Sequence, residues 1–361
     1  MKFSRLRQSR FLKLLLAILA ALLVLRAALP YGVKWYVNRV LADIPGYYGR
    51  IDDIDIKLWR GAYEVHGLEF VKLNGKVRDP LFSARVIAIA VDWRALFQGK
   101  LATSIELDRP VFTVVKGATE ETSQTSVDAK WQTQVQKLYP FEINRLVARD
   151  GALVFKNLAM KPPLDASLDQ LQLEVANLTN ATEGQGLFAD GRLRARLLKS
   201  AQLEADVKMD PLSDPWEADL DAKILALPLT ALNPFADAYG SFDFQKGTGS
   251  LYFENVSREG RYKGYFKLIL EGVDVVDWEK EKKDSLGRKL WESLVGGAFE
   301  VLENQPHDRF AVRLPVEGDM RGADFHVWSA VKSIFANAFV RLMPQKLENS
   351  LNFKSLGEPK K

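Results

Sequence analysis

Side chains able to carry acid–base, nucleophilic or metal chemistry are few and scattered in this chain. Three histidines, His66, His307 and His326, lie far apart, and none stands in a His-x-x-x-His, His-Glu or His-x-Glu spacing. Cysteine is absent. Thiolate metal sites, disulfides, a cysteine nucleophile and an acylated-cysteine anchor are therefore excluded. The paired acids Asp53/Asp55 and Asp219/Asp221 alternate with apolar residues, which is the polar side of a half-exposed strand. A calcium loop of the D-x-D-x-D-G type is absent, as is a Gly-x-Ser-x-Gly elbow. Gly247-Thr248-Gly249-Ser250 lacks the Lys and the following helix of a phosphate loop. These residues predict a protein that is not an enzyme, with no catalytic, cofactor-binding or metal residue.

The elements that carry these residues begin with a strongly polarised N-terminus. Lys2, Arg5, Arg7, Arg10 and Lys13 precede any acidic residue, and an unbroken apolar run follows from Leu14 to Leu25. Arg26 interrupts the run before Ala27–Leu29 extend it, close to the roughly 20 residues that a bilayer core requires. Lys13 and Arg26 sit where long cations lift their charge to the interface, and Tyr31, Trp35 and Tyr36 fall where an aromatic belt lies. The positive-inside rule places residues 1–13 in the cytoplasm, a single transmembrane anchor at 14–29 and the remainder outside. A cleaved signal peptide competes with the anchor, although R-A-A-L-P-Y at 26–31 offers no clean small-x-small cleavage site. Net charge is +4, yet the first thirteen residues hold five cations and no acid, leaving the rest at −1. The basic balance belongs to the membrane flank, and no nucleic acid is expected as a partner.

Residues 30–45 place Val33, Val37, Val40, Leu41 and Ile44 at helical spacing, predicting a juxtamembrane amphipathic helix. From Gly49 the period becomes two. Ile54, Ile56 and Leu58 share one side of a strand, and Val86 to Trp93 places Ile87, Ile89 and Val91 on one side. The alternation recurs over 104–115, 164–178, 187–209, 216–227, 241–256 and 261–276, with a hairpin expected at Asp150-Gly151. Helices are expected over 129–138, 229–239, 286–302 and 327–343, a polar mobile loop over 119–128, and a tail at 346–361. The fold class is mainly β, a long antiparallel sheet in one unit over 46–345 behind an N-terminal transmembrane helix, of some 18–20 strands and roughly 90 Å if all join one sheet. Alternation by itself does not separate an open apolar groove from a closed sandwich core.

Several segments resemble the bacterial AsmA-like proteins, in a branch described as a domain of unknown function. They are L-A-D-I-P-G-Y-Y-G-R-I-D-D-I-D-I-K-L at 41–58, R-G-A-Y-E-V-H-G-L at 60–68, V-D-W-R-A-L-F-Q-G-K-L at 91–101 and L-D-R-P-V-F at 107–112. L-Y-P-F-E-I-N-R at 138–145 and A-N-L-T-N at 176–180 extend the likeness over nearly the whole chain. The resemblance implies an inner-membrane anchor in a Gram-negative envelope, a periplasmic curved β-groove, phospholipid as ligand and a part in lipid transport or outer-membrane homeostasis. It supplies no catalytic motif. The groove would be lined by Ile54, Ile56, Leu58, Ile87, Ile89 and Val91. Two alternatives remain. One is a scaffold for envelope proteins with a closed core, docking through 327–343. The other is a periplasmic hydrolase with a pocket at one of the three histidines.

Overall fold

The protein is described from a computed structural model covering residues 3–43, 46–57, 61–73, 76–92, 101–124, 141–160, 163–179, 189–210, 213, 217–240, 242–277 and 309–319. It is mainly β. The chain starts with helix α1 (Phe3–Ala42). Its stretch Leu15–Ala42 is long and apolar enough to cross a membrane, and no part of that window is buried inside the protein. The anchor at 14–29 and the amphipathic helix at 30–45, expected as two elements, are one continuous helix ending at Ala42. Pro30 lies inside it and removes a single i→i−4 hydrogen bond without ending it. The last turns are pinned to the sheet. The Asn38 side-chain amide donates to the Ile51 carbonyl at 3.2 Å, and its oxygen accepts from the Ile51 N–H at 2.7 Å.

Among the described residues, fourteen strands follow in one sheet. They are β1 (Tyr47–Arg50), β2 (Asp53–Lys57), β3 (Ala62–Lys72), β4 (Phe82–Val91), β5 (Leu101–Asp108), β6 (Val111–Lys116) and β7 (Phe141–Asn157). Then come β8 (Leu164–Thr179), β9 (Ala189–Leu197), β10 (Ala201–Asp210), β11 (Glu217–Pro228), β12 (Phe242–Arg258), β13 (Arg261–Asp277) and β14 (Arg309–Asp319). From β7 onward each strand pairs with its successor in the chain, while β2 pairs with β3 and β6 with both β4 and β7. A 3₁₀ turn (Leu229–Leu232) and helix α2 (Asn233–Gly240) fill the connection between β11 and β12, where a helix over 229–239 was expected.

Several expectations change. Asp150-Gly151 does not turn the chain: β7 runs straight through it, with Asp150 in the left-handed region at φ 52°. The dipeptide makes a bulge in the β7–β8 pairing, beside another left-handed residue, Arg109 (φ 47°), whose N–H is bonded to the Arg149 carbonyl at 2.8 Å. That pairing, β7 with β5 and β6, is parallel, unlike the all-antiparallel sheet expected. The loop expected over 119–128 is tied down at its start. Gln124 is buried, and its amide donates to the Thr113 carbonyl at 3.0 Å. The helices expected over 129–138, 286–302 and 327–343, the tail, Leu58, His307 and His326 lie outside the described residues.

Residues with positive φ line up across the sheet, some of them at bulges. Gly67 (φ 62°) on β3, Arg109, Asp150 and Gln170 (φ 53°) on β8 stand side by side. A second line crosses β11 to β13 at Ala226 (φ 55°), Gly247 (φ 125°) and Gly272 (φ 59°). Gly247 also needs its missing Cβ for space, since a Cβ there would lie 2.8 Å from Leu229 Cδ1. Each bulge bends its strand and raises its twist, and aligned bulges turn separate kinks into a crease.

Candidate functional site: the two faces of the sheet

Register sorts the side chains into two opposed faces. On one face, Ile54, Val65, Ile87, Leu107, Ala148, Leu173, Leu193, Ala205, Ala222, Phe253, Phe266 and Leu314 stand as successive partners across twelve strands. Every one is apolar. Among the described residues, eleven interstrand steps make this row about 53 Å long. A neighbouring row starts at Ile56, Tyr63, Ile89, Ile105, Leu146 and Val175 and stays free of charge to β14. Beyond the first crease, Phe70, Phe82, Phe112, Leu153, Leu168 and Leu197 add an aromatic-rich row.

The larger side chains of this face stay partly exposed. Ile87, Ile89, Leu107, Leu173, Leu193, Leu203 and Ile224 are half-buried, while Leu153 and Phe155 reach 40% and 37% exposure. Others sink beneath their neighbours: Ile54 and Val175 are buried, and Ala148, Leu171 and Ala195 form a buried cluster flanked by Leu107, Leu168, Leu173, Leu193 and Leu203. Phe253 and Phe266 stack with ring centroids 4.4 Å apart. At one end, Leu229 of the 3₁₀ turn sits over Gly249 and Leu270, and α2 reaches from β12 to β8.

Five of the six residues expected to line a groove, Ile54, Ile56, Ile87, Ile89 and Val91, share this face through direct register. Their strands lie at the edge where α1 is pinned. Lys13, Arg26, Tyr31, Trp35 and Tyr36 are exposed along α1, and the Arg39 guanidinium lies 5.5 Å above the Trp35 ring.

The opposite face is charged. Asp55, Glu64, Ala88, Glu106, Val147, Glu174, Arg192, Asp206, Asp221, Glu254 and Tyr265 form its central row. Arg145 pairs with Glu174 at 2.8 Å, Arg192 with Asp206 at 2.9 Å and Lys223 with Glu204 at 3.0 Å. Toward β12–β14 this face is buried, a feature that strict alternation hides. The Tyr265 hydroxyl donates to the Glu254 carboxylate, Lys267 Nζ lies 5.2 Å from the Tyr252 ring and the Arg313 guanidinium 4.1 Å from the Tyr265 ring. Both Glu254 and Lys267 are fully buried.

Asp221 shows the cost of this arrangement. Burial, then the neighbouring Glu254, Asp219 and Asp206, push its carboxyl up to about 6. Burial also lifts Asp219. A carboxyl raised in the folded state binds more protons folded than unfolded between its two values. Stability therefore falls as pH rises from about 4 to 6. Asp221→Asn is expected to stabilise the protein at pH 7 by about 1 kcal/mol after discounting for solvent screening. The gain should vanish below about pH 4, where both states are protonated. Thermal melts of the two proteins at pH 4 and 7 check this.

Sequence reasoning left His66 isolated, and the structure does not. The β2–β3 register sets Asp55 opposite Glu64 and Asp53 opposite His66 on the charged face, with His66 Nε2 3.3 Å from Asp55 Oδ2. Pairing the two alternating strands as a hairpin around Gly61 would have brought these residues together. No protein-family model and no curated protein matches the chain.

Proposed function

We propose that this protein is a non-enzymatic, membrane-anchored lipid-binding protein whose apolar sheet face shelters acyl chains. In this reading α1 is a single-pass inner-membrane anchor with its N-terminus in the cytoplasm, and the sheet lies in the periplasm. The resemblance to AsmA-like proteins points the same way, toward phospholipid transport or envelope homeostasis. The observation that carries the reading is the twelve-strand apolar row, charge-free from the edge beside α1 to β14. A closed core would bury its large side chains, whereas here leucines and isoleucines remain half-exposed, and Phe155 more so. Bending at the two aligned lines would make such a face concave. Each methylene of an acyl chain laid on it contributes about 0.8 kcal/mol.

Photo-crosslinking in intact cells tests this. A benzophenone amino acid at Leu173 is expected to capture phospholipid, identified by mass spectrometry of the adduct. The same residue at Arg192, on the opposite face, is expected to capture none. Protein adducts at Leu173 without lipid would replace this reading with that of a scaffold for envelope proteins.

A further inference from the structure

We propose that Asp55, Glu64 and His66 form a binding site for a divalent transition-metal ion of the zinc class, on the face opposite the apolar rows. The site stands independently of the lipid reading. One ligand atom from each residue lies within 4.8 Å of the other two. Ligand atoms on a tetrahedral centre with 2.0–2.2 Å bonds lie about 3.3 Å apart, so small side-chain rotations close the set. The backbone already fixes the arrangement. Asp55 and Glu64 are direct cross-strand partners, and His66 follows Glu64 by two residues, so all three project from the same side of one hairpin.

Two features single this cluster out from ordinary surface acids. His66 Nε2 is shielded from solvent and lies 3.3 Å from Asp55 Oδ2 without an aligned hydrogen bond, while the ring as a whole is a third exposed. An imidazole beside two carboxylates is a donor set for a borderline metal, with water completing the coordination. Asp55 and Glu64 also face each other directly, a like-charge pairing that destabilises a sheet unless a cation intervenes. The Lys57 ammonium, paired with Glu64, supplies one from the side. A metal ion bridging both carboxylates would displace it and clamp β2 onto β3 at the edge where α1 is pinned.

Lys57 makes the site testable in both directions. Untagged full-length protein in detergent micelles is titrated with Co²⁺, whose visible absorption reports N/O coordination, and then with Zn²⁺ in competition. Saturation at one ion per chain is expected, with loss of the signal in His66→Ala. Lys57→Met, which removes the competing cation, is expected to tighten binding by about threefold to tenfold. Unperturbed circular dichroism in Glu64→Gln, together with weakened binding, separates ligand loss from unfolding. No saturable binding below about 1 mM would overturn the site. So would a signal unchanged in His66→Ala, which would locate binding elsewhere on the chain.

Discussion

Ile87→Asp combined with Ile89→Asp is expected to lower phospholipid recovered with the protein at least about tenfold, since two carboxylates would then face the acyl chains without partners. The two isoleucines sit on β4 in adjacent apolar rows, partnered by Leu107 and Ile105. Both are half-buried, so the charges reach solvent when lipid is absent and the fold should survive. Ala88, between them, belongs to the charged face and is flanked in register by Glu64 and Glu106. Ala88→Lys therefore provides a matched control with lipid content unchanged. Lipid per chain by mass spectrometry, beside a thermal melt, decides the matter. Full phospholipid content in a correctly folded double variant would exclude the apolar face as the binding surface.

Ile269→Ala should have the opposite profile, a large loss of stability with lipid content intact. Ile269 is 1% exposed and packs with Tyr252, Ala311 and Leu225 on the other face of the sheet. Truncating a fully buried isoleucine costs about 3 kcal/mol. For a domain of this size that lowers Tm by about 4–6 °C. The two variants thus separate the face proposed to bind lipid from the cluster that packs β12–β14 together. A melt that moves by less than about 2 °C would mean that the cluster contributes little.

Alternation along the chain made much of this legible. Ile54, Ile56, Ile87 and Ile89 could be assigned to one side of their strands because a strand's period of two is a local property. Whether separate strands present the same side is set by register, and register depends on partners far away in sequence. That is why the rows, and the meeting of Asp55, Glu64 and His66, emerge only from the paired sheet. Asp150-Gly151 shows the limit in detail. A left-handed residue serves a hairpin turn or a bulge equally well, and what decides is the neighbouring strand, here β5–β6 with its own left-handed residue at Arg109. The parallel pairing of β7 was hidden for a similar reason, since nothing local to a strand fixes the direction of its neighbour. Lys267 misled most: its polar place in an alternating strand reads as solvent-facing, yet it is fully buried beside the Tyr252 ring.

The junction between α1 and the sheet has a mechanical consequence. The helix continues without a break from the apolar span to Ala42, and Asn38 fastens it to Ile51 through two hydrogen bonds. With the proposed anchor in a bilayer, these bonds would couple the sheet to the helix as a lever arm. A 10° tilt of the helix would then swing the far end of the 53 Å row by roughly 9 Å. Helix tilt responds to hydrocarbon thickness. In that arrangement the local thickness of the bilayer would steer where the distant end of the apolar face points.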